Sequence, residues 1–184
     1  MAFHELQISP NAPERVRNHI KRFELSAWLQ EAHWLLSRET EPTSGAFPRP
    51  FIYVTALFLL EIIGGISKAF YDHPSHRSGD RFLALLQHYY PWDLEPRGGV
   101  AATDGPRLLY KAFRNPFAHE LGILDKNIEQ SVTTRPFEAQ RTLDINTAGR
   151  PTLHIPGLYW GIRAMVYRLT DDASMMARVL PRLR

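Results

Sequence analysis

Apolar residues recur at helical spacing over most of the chain. From Pro13 to Arg38, Val16, Ile20, Phe23, Ala27 and Leu35 form a stripe, broadened by Trp28, Leu29 and Ala32, which predicts a first long helix. Asn11 is its candidate N-cap, and Pro13 suits its first turn. Thr40 to Pro50, with three prolines and a glycine, reads as a loop. A second helix, from near Pro50 to about Tyr71, is apolar almost all round and is expected at the centre of the fold. Its Gly64-Gly65 pair predicts a bend or the close approach of a neighbour.

Asp72 to Gly79 is polar and reads as a loop. A third helix is expected from about Asp80 to Tyr90, ahead of Pro91, followed by an irregular stretch carrying Pro96, Gly98 and Gly99. Asp104 stands where it would cap a fourth helix, with Pro106 in the first turn and Leu108, Leu109, Ala112 and Phe113 as its apolar stripe. Pro116 is expected to interrupt that helix, and a short one should run on to Leu121, stopped by Gly122. The period then changes to alternation. Leu143 with Ile145, and Leu153 with Ile155, predict a β-hairpin around Asn146 to Arg150, and a last long helix follows Pro156, ending or bending at Asp171-Asp172. The expected fold is an all-α antiparallel helical bundle, one domain over residues 1–184, with a small β-hairpin before the last long helix.

An apolar content of 44 % suffices for a core, and a net charge of +3 permits contact with phosphate without demanding it. There is no cysteine, so disulfides and thiolate metal sites are excluded. The N-terminus lacks the layout of a signal peptide. The most apolar run, Phe51 to Ile66, is interrupted by Glu61 and falls short of the roughly 20 residues of a membrane span. A cytoplasmic protein with no membrane partner is the expectation.

Chemistry concentrates in Arg114-Asn115-Pro116-Phe117-Ala118-His119. On an unbroken helix, side chains five positions apart diverge by roughly 140°. If Pro116 starts a new helix and Asn115 takes the extended cap conformation, Arg114 lies just outside that helix's N-terminus and His119 about one turn in, and the two converge. An arginine fork and a helix start suit a phosphate, and a histidine transfers protons near neutrality. Glu61, the one charge in the apolar run, is the candidate partner that orients Arg114 or His119, with a partner elsewhere or a solvent-facing position as the equal alternative. Lys111, beside the motif, is a candidate contact to a phosphate backbone.

The run Leu108 to Gly122 resembles the motif region of HEPN domains, whose signature is arginine, a polar residue that is often asparagine, three variable residues and histidine. The resemblance implies a helical bundle working as a homodimer. It further implies a metal-independent endoribonuclease of toxin–antitoxin or phage-defence type, with an antitoxin or other protein as a second partner. Arg114 and His119 would be the catalytic pair, Asn115 and Glu61 supporting residues, and no cofactor or metal would be needed. RNA or nucleotide binding without cleavage is the alternative, and a helical scaffold without chemistry is a third reading.

Elsewhere the candidates are plainer. His73, His76 and Asp80 match no strong metal pattern and read as a solvated loop. Tyr110 reads as core packing, the tryptophans as core or interface residues, and Arg178, Arg182 and Arg184 as a solvated basic end.

Overall fold

The computed structural model describes residues 5–22, 24–38, 51–94, 104–120, 131–133, 141–145 and 149–183. The expected loop at Thr40 to Pro50, the stretch around Pro96 to Gly99, the stop at Gly122, the hairpin tip at Asn146 to Ala148 and the residues Phe23 and Arg184 lie outside them.

The first long helix is two helices: α1 spans Glu14–Arg22 and α2 spans Leu25–Arg38. Glu24 between them takes a left-handed φ of 54°. The buried positions explain the break. Val16 and Ile20 face the core from α1, and Leu25, Leu29 and Ala32 from α2. The five-residue step from Ile20 to Leu25 does not fit one helical stripe, so the chain re-aims between them. Ala27 and Trp28, counted in the stripe above, are exposed instead.

Helix α3, Phe51–Ala69, is the central element and packs against α2, α4 and α7. Leu59, Leu60, Ile62, Ile63 and Ile66 are buried, as a nearly all-apolar helix requires. Helix α4, Ser78–Tyr89, ends at Tyr90 before Pro91, as expected. A 3-10 turn at Trp92–Leu94 follows.

Helix α5, Gly105–Leu108, begins after Asp104 with Pro106 in its first turn, although the Asp104 side chain makes no capping bond. It leads into π-helical turns over Leu109–Arg114 and then into α6, Asn115–Glu120. Leu109, Ala112, Phe113, Pro116 and Phe117 are buried along one side of this continuous segment.

The expected hairpin is present as β2, Leu143–Ile145, and β3, Pro151–His154, with Leu143 opposite Leu153. It is joined by a strand that alternation did not reveal. The segment β1, Ser131–Thr133, pairs parallel to β3, giving the order β1-β3-β2. Leu143 and Leu153 are buried, whereas Ile145, at the strand end, is exposed. Helix α7, Ile155–Asp171, supplies Leu158, Ile162, Met165, Val166 and Leu169 to the core. It ends where Asp172 caps α8, Ala173–Val179, by accepting from the Met175 backbone N–H. The protein is therefore mostly helical, with a small sheet. Among the described residues no helix is long and apolar enough to cross a membrane.

Candidate functional site

Pro116 does not break the helix in the way its chemistry suggests. Asn115 is helical, with φ −65° and ψ −52°, and is not the extended cap expected above. Its N–H donates to the Tyr110 carbonyl, five residues back. Proline lacks an N–H, and its ring collides with the carbonyl four residues earlier in a regular α-helix. A widened i→i+5 turn just before the proline accommodates both effects without ending the helix. Arg114 thus sits inside a continuous helical segment, and the helix N-terminus expected to join it in binding an anion is absent at this point.

The arginine is nonetheless held. Its Nε lies 3.5 Å from Glu61 Oε1, its guanidinium stands 5.8 Å from the centre of the Tyr110 ring, and its Nη1 lies 3.5 Å from Asn115 Oδ1. Glu61 therefore pairs with Arg114 across the packing of α3 on the widened turns. The premise behind that expectation fails, because the Glu61 side chain is not buried but 47 % exposed. Tyr110 is only partly buried. It packs beside Phe82 at 5.6 Å between ring centres and over Gly79, where a Cβ would overlap its hydroxyl. Asn115 is half-buried, and Lys111 is exposed and outside the cleft described next. His119 belongs to α6, but its side chain lies outside the described residues, so its expected convergence with Arg114 does too.

Arg114 and Glu61 form one wall of an open cleft of about 450 Å³. Its floor is the outward face of α3, where Glu61, Gly64, Gly65 and Lys68 follow one another at helical spacing. Trp28 from α2 closes one side; Ser78, Arg81 and Phe82 from α4 close another. Lys68, Arg81 and Arg114 set three cations against the single carboxylate of Glu61. Such a cleft attracts an anion, and its aromatic walls suit a flat ring.

Trp28, Lys68, Ser78 and Arg81 were not identified from the sequence. The usable signal was the stripe Glu61, Gly64, Gly65, Lys68, which puts both charges and both glycines of this part of α3 on one face. The expected close neighbour at Gly64-Gly65 is not a helix. A Cβ at Gly65 would meet only Trp28 at 4.0 Å, and one at Gly64 only Glu61 Oε2 at 3.8 Å, both ordinary contacts.

The other candidates make local bonds. His73 Nδ1 accepts from the Ser75 N–H, and Asp80 Oδ2 accepts from the Ser75 hydroxyl at 2.6 Å. The basic end is not freely solvated, since Arg178 and Arg182 both reach Asp72, at 3.6 Å and 2.9 Å. Arg178 also borders a second cavity of about 610 Å³ near Asp72, Tyr89 and Asp172. There the Tyr89 hydroxyl donates to Asp172 at 2.6 Å, and burial, followed by that carboxylate, pushes the phenol upward. The same bond, with the Met175 N–H, pulls the Asp172 carboxyl down to about 2. Tyr71, raised chiefly by burial, shares a 2.7 Å hydrogen bond with His88 Nδ1. These groups are already paired with one another, and the arrangement is that of a structural joint between α4 and α8.

No family model, curated protein or solved structure matches the chain.

Proposed function

We propose that this chain is a metal-independent endoribonuclease of the HEPN type, with Arg114 and His119 as its catalytic groups. The observation that carries the reading is the setting of Arg114. Its guanidinium is positioned by Glu61, Tyr110 and Asn115 at the wall of an open, cationic cleft.

In the reaction, a ribose 2′-oxygen attacks the adjacent phosphorus while the bond to the 5′-oxygen of the next nucleotide breaks. The products carry a 2′,3′-cyclic phosphate and a 5′-hydroxyl. One imidazole takes the proton from the 2′-hydroxyl and another gives a proton to the leaving oxygen. Arginine stabilises the charge that grows on the phosphoryl oxygens. Each chain carries one motif histidine, so a two-fold homodimer that joins two motifs supplies both proton-transfer groups. Lys111 contacts RNA backbone beside the motif, Glu61 and Asn115 keep the guanidinium oriented, and an antitoxin or other protein partner would restrain the activity.

The helical continuity through Asn115 favours one rival, RNA or nucleotide binding without cleavage, because the cationic cleft is complete without His119. Incubation with RNA in EDTA separates the two. The wild-type protein is expected to cut, and His119→Ala is expected to lose cutting while keeping its helical circular-dichroism spectrum. Full cleavage by a well-purified His119→Ala variant rejects the assignment.

A further inference from the structure

Three residues of the cleft have no part in the proton transfers just described. Arg81, in the first turn of α4, is partly buried, and among the described residues its buried Nε has no hydrogen-bond partner. That atom is sealed from solvent, so a ligand in the cleft would meet the guanidinium through its other nitrogens. Lys68, one turn beyond Gly64-Gly65, adds a second cation. Since Arg114 is matched by Glu61, the positive charge of Lys68 and Arg81 is uncompensated by any other acidic residue of the lining. Trp28, which also lines the cleft, is 40 % exposed, and its indole edge lies 4.0 Å from where a Cβ on Gly65 would stand.

A forked cation and an ammonium suit a phosphate, an exposed indole suits a flat base, and about 450 Å³ lies within the usual range for a small-ligand site. We propose that this cleft is a subsite for one purine nucleoside monophosphate unit, its phosphate on Arg81 and Lys68 and its base stacked on Trp28. A purine is favoured because its larger ring covers more of the indole. Taking that unit to be a residue of RNA beside the bond that is cut rests on the ribonuclease reading; a free nucleotide presents the same chemistry.

The test is equilibrium binding to the full chain in EDTA, followed by indole fluorescence and calorimetry. The probes are 5′-AMP, 5′-UMP, inorganic phosphate and an oligoadenylate protected from cleavage by 2′-O-methylation. Saturable binding of AMP, tighter than UMP and much tighter than phosphate, is expected. Arg81→Gln and Trp28→Ala should each weaken it tenfold or more, with Trp28→Phe retaining most of it as the stacking control. An oligoadenylate that binds far more tightly than AMP, and displaces it, identifies RNA as the source; equal affinities identify the free nucleotide. Absence of saturable binding to the wild-type protein, or unchanged affinity in folded Arg81→Gln and Trp28→Ala, overturns the proposal. The two readings fail separately. RNA cut normally without Arg81-dependent binding removes only the subsite, and Arg81-dependent binding of RNA that stays intact removes only the nuclease.

Discussion

Arg114 and Glu61 meet at 3.5 Å, one from the widened turns ahead of Pro116 and the other from the central helix α3. Glu61 stays half in solvent, so the pair does little to hold the fold; exposed ion pairs contribute about 0–1 kcal/mol. Its geometry instead fixes the direction of the guanidinium at the edge of the cleft. Glu61→Gln should therefore leave the thermal midpoint nearly unchanged while lowering the rate of RNA cleavage several-fold. A rate equal to wild type would assign Glu61 no positioning role.

The wide turn before Pro116 has its own consequence. Pro116→Ala restores an N–H and removes the ring that conflicts with a regular α-helix, a conflict that costs about 3 kcal/mol in an ordinary helix interior. The variant should be as stable as wild type or more so, despite losing buried ring contacts. Its Arg114 should rotate about the helix axis as the turn tightens, and cleavage should fall. Full activity in a stabilised Pro116→Ala protein would show that the π geometry does not set the arginine's direction.

Two glycines respond oppositely to the same substitution. In α7, a Cβ at Gly157 would overlap the Arg141 backbone carbonyl, which cannot yield as a flexible side chain does. Gly157→Ala should destabilise the protein by about 1–3 kcal/mol. In α3, Gly65 has only an ordinary contact at 4.0 Å, so Gly65→Ala should gain about 0.5–1 kcal/mol from the stiffer unfolded chain. Denaturant midpoints of the two variants should move in opposite directions.

Asp172 links stability to acid. Its carboxyl is pulled from 3.8 to about 2, first by the Tyr89 hydroxyl and then by the Met175 N–H. A value lower in the folded than in the unfolded protein gives stability that is complete above about pH 4 and is lost as the pH falls through about 2. Asp172→Ala also removes the α8 cap, for about 1 kcal/mol at neutral pH. The difference in thermal midpoint between variant and wild type should be constant at neutral pH and close as the pH drops from 4 to 2.

Much of the fold was legible because periodicity is a local signal. The apolar run of α3, the alternation at Leu143 and Leu153 and the stop at Asp171-Asp172 all gave elements close to those observed. What escaped was phase and register. The slip between Ile20 and Leu25 lies inside an otherwise helical pattern, and a strand as short as Ser131–Thr133 has no period of its own. At Pro116 the expected break became a change of hydrogen-bond register, because the chain keeps Phe113 and Phe117 buried together, 6.0 Å between ring centres. Glu61 stood out as the one charge of its apolar run, with Arg114 or His119 as its candidate partner, but only the packing of α3 on the widened turns selects Arg114. Trp28, Lys68 and Arg81 did not stand out: Trp28 reads as part of an apolar stripe and the other two as ordinary charges until α2, α3 and α4 bring them to one cleft.

The chemistry is tested most directly by the ends of the cleaved RNA. An oligoribonucleotide, and copies of it carrying a single 2′-deoxy residue at successive positions, are incubated with the protein in EDTA and the products read by mass spectrometry. The expected result is fragments ending in a 2′,3′-cyclic phosphate and a 5′-hydroxyl, with cleavage abolished when the deoxy residue precedes the cut and lost in Arg114→Ala and His119→Ala. Intact RNA with the folded wild-type protein, or cleavage that survives the missing 2′-hydroxyl, would contradict it.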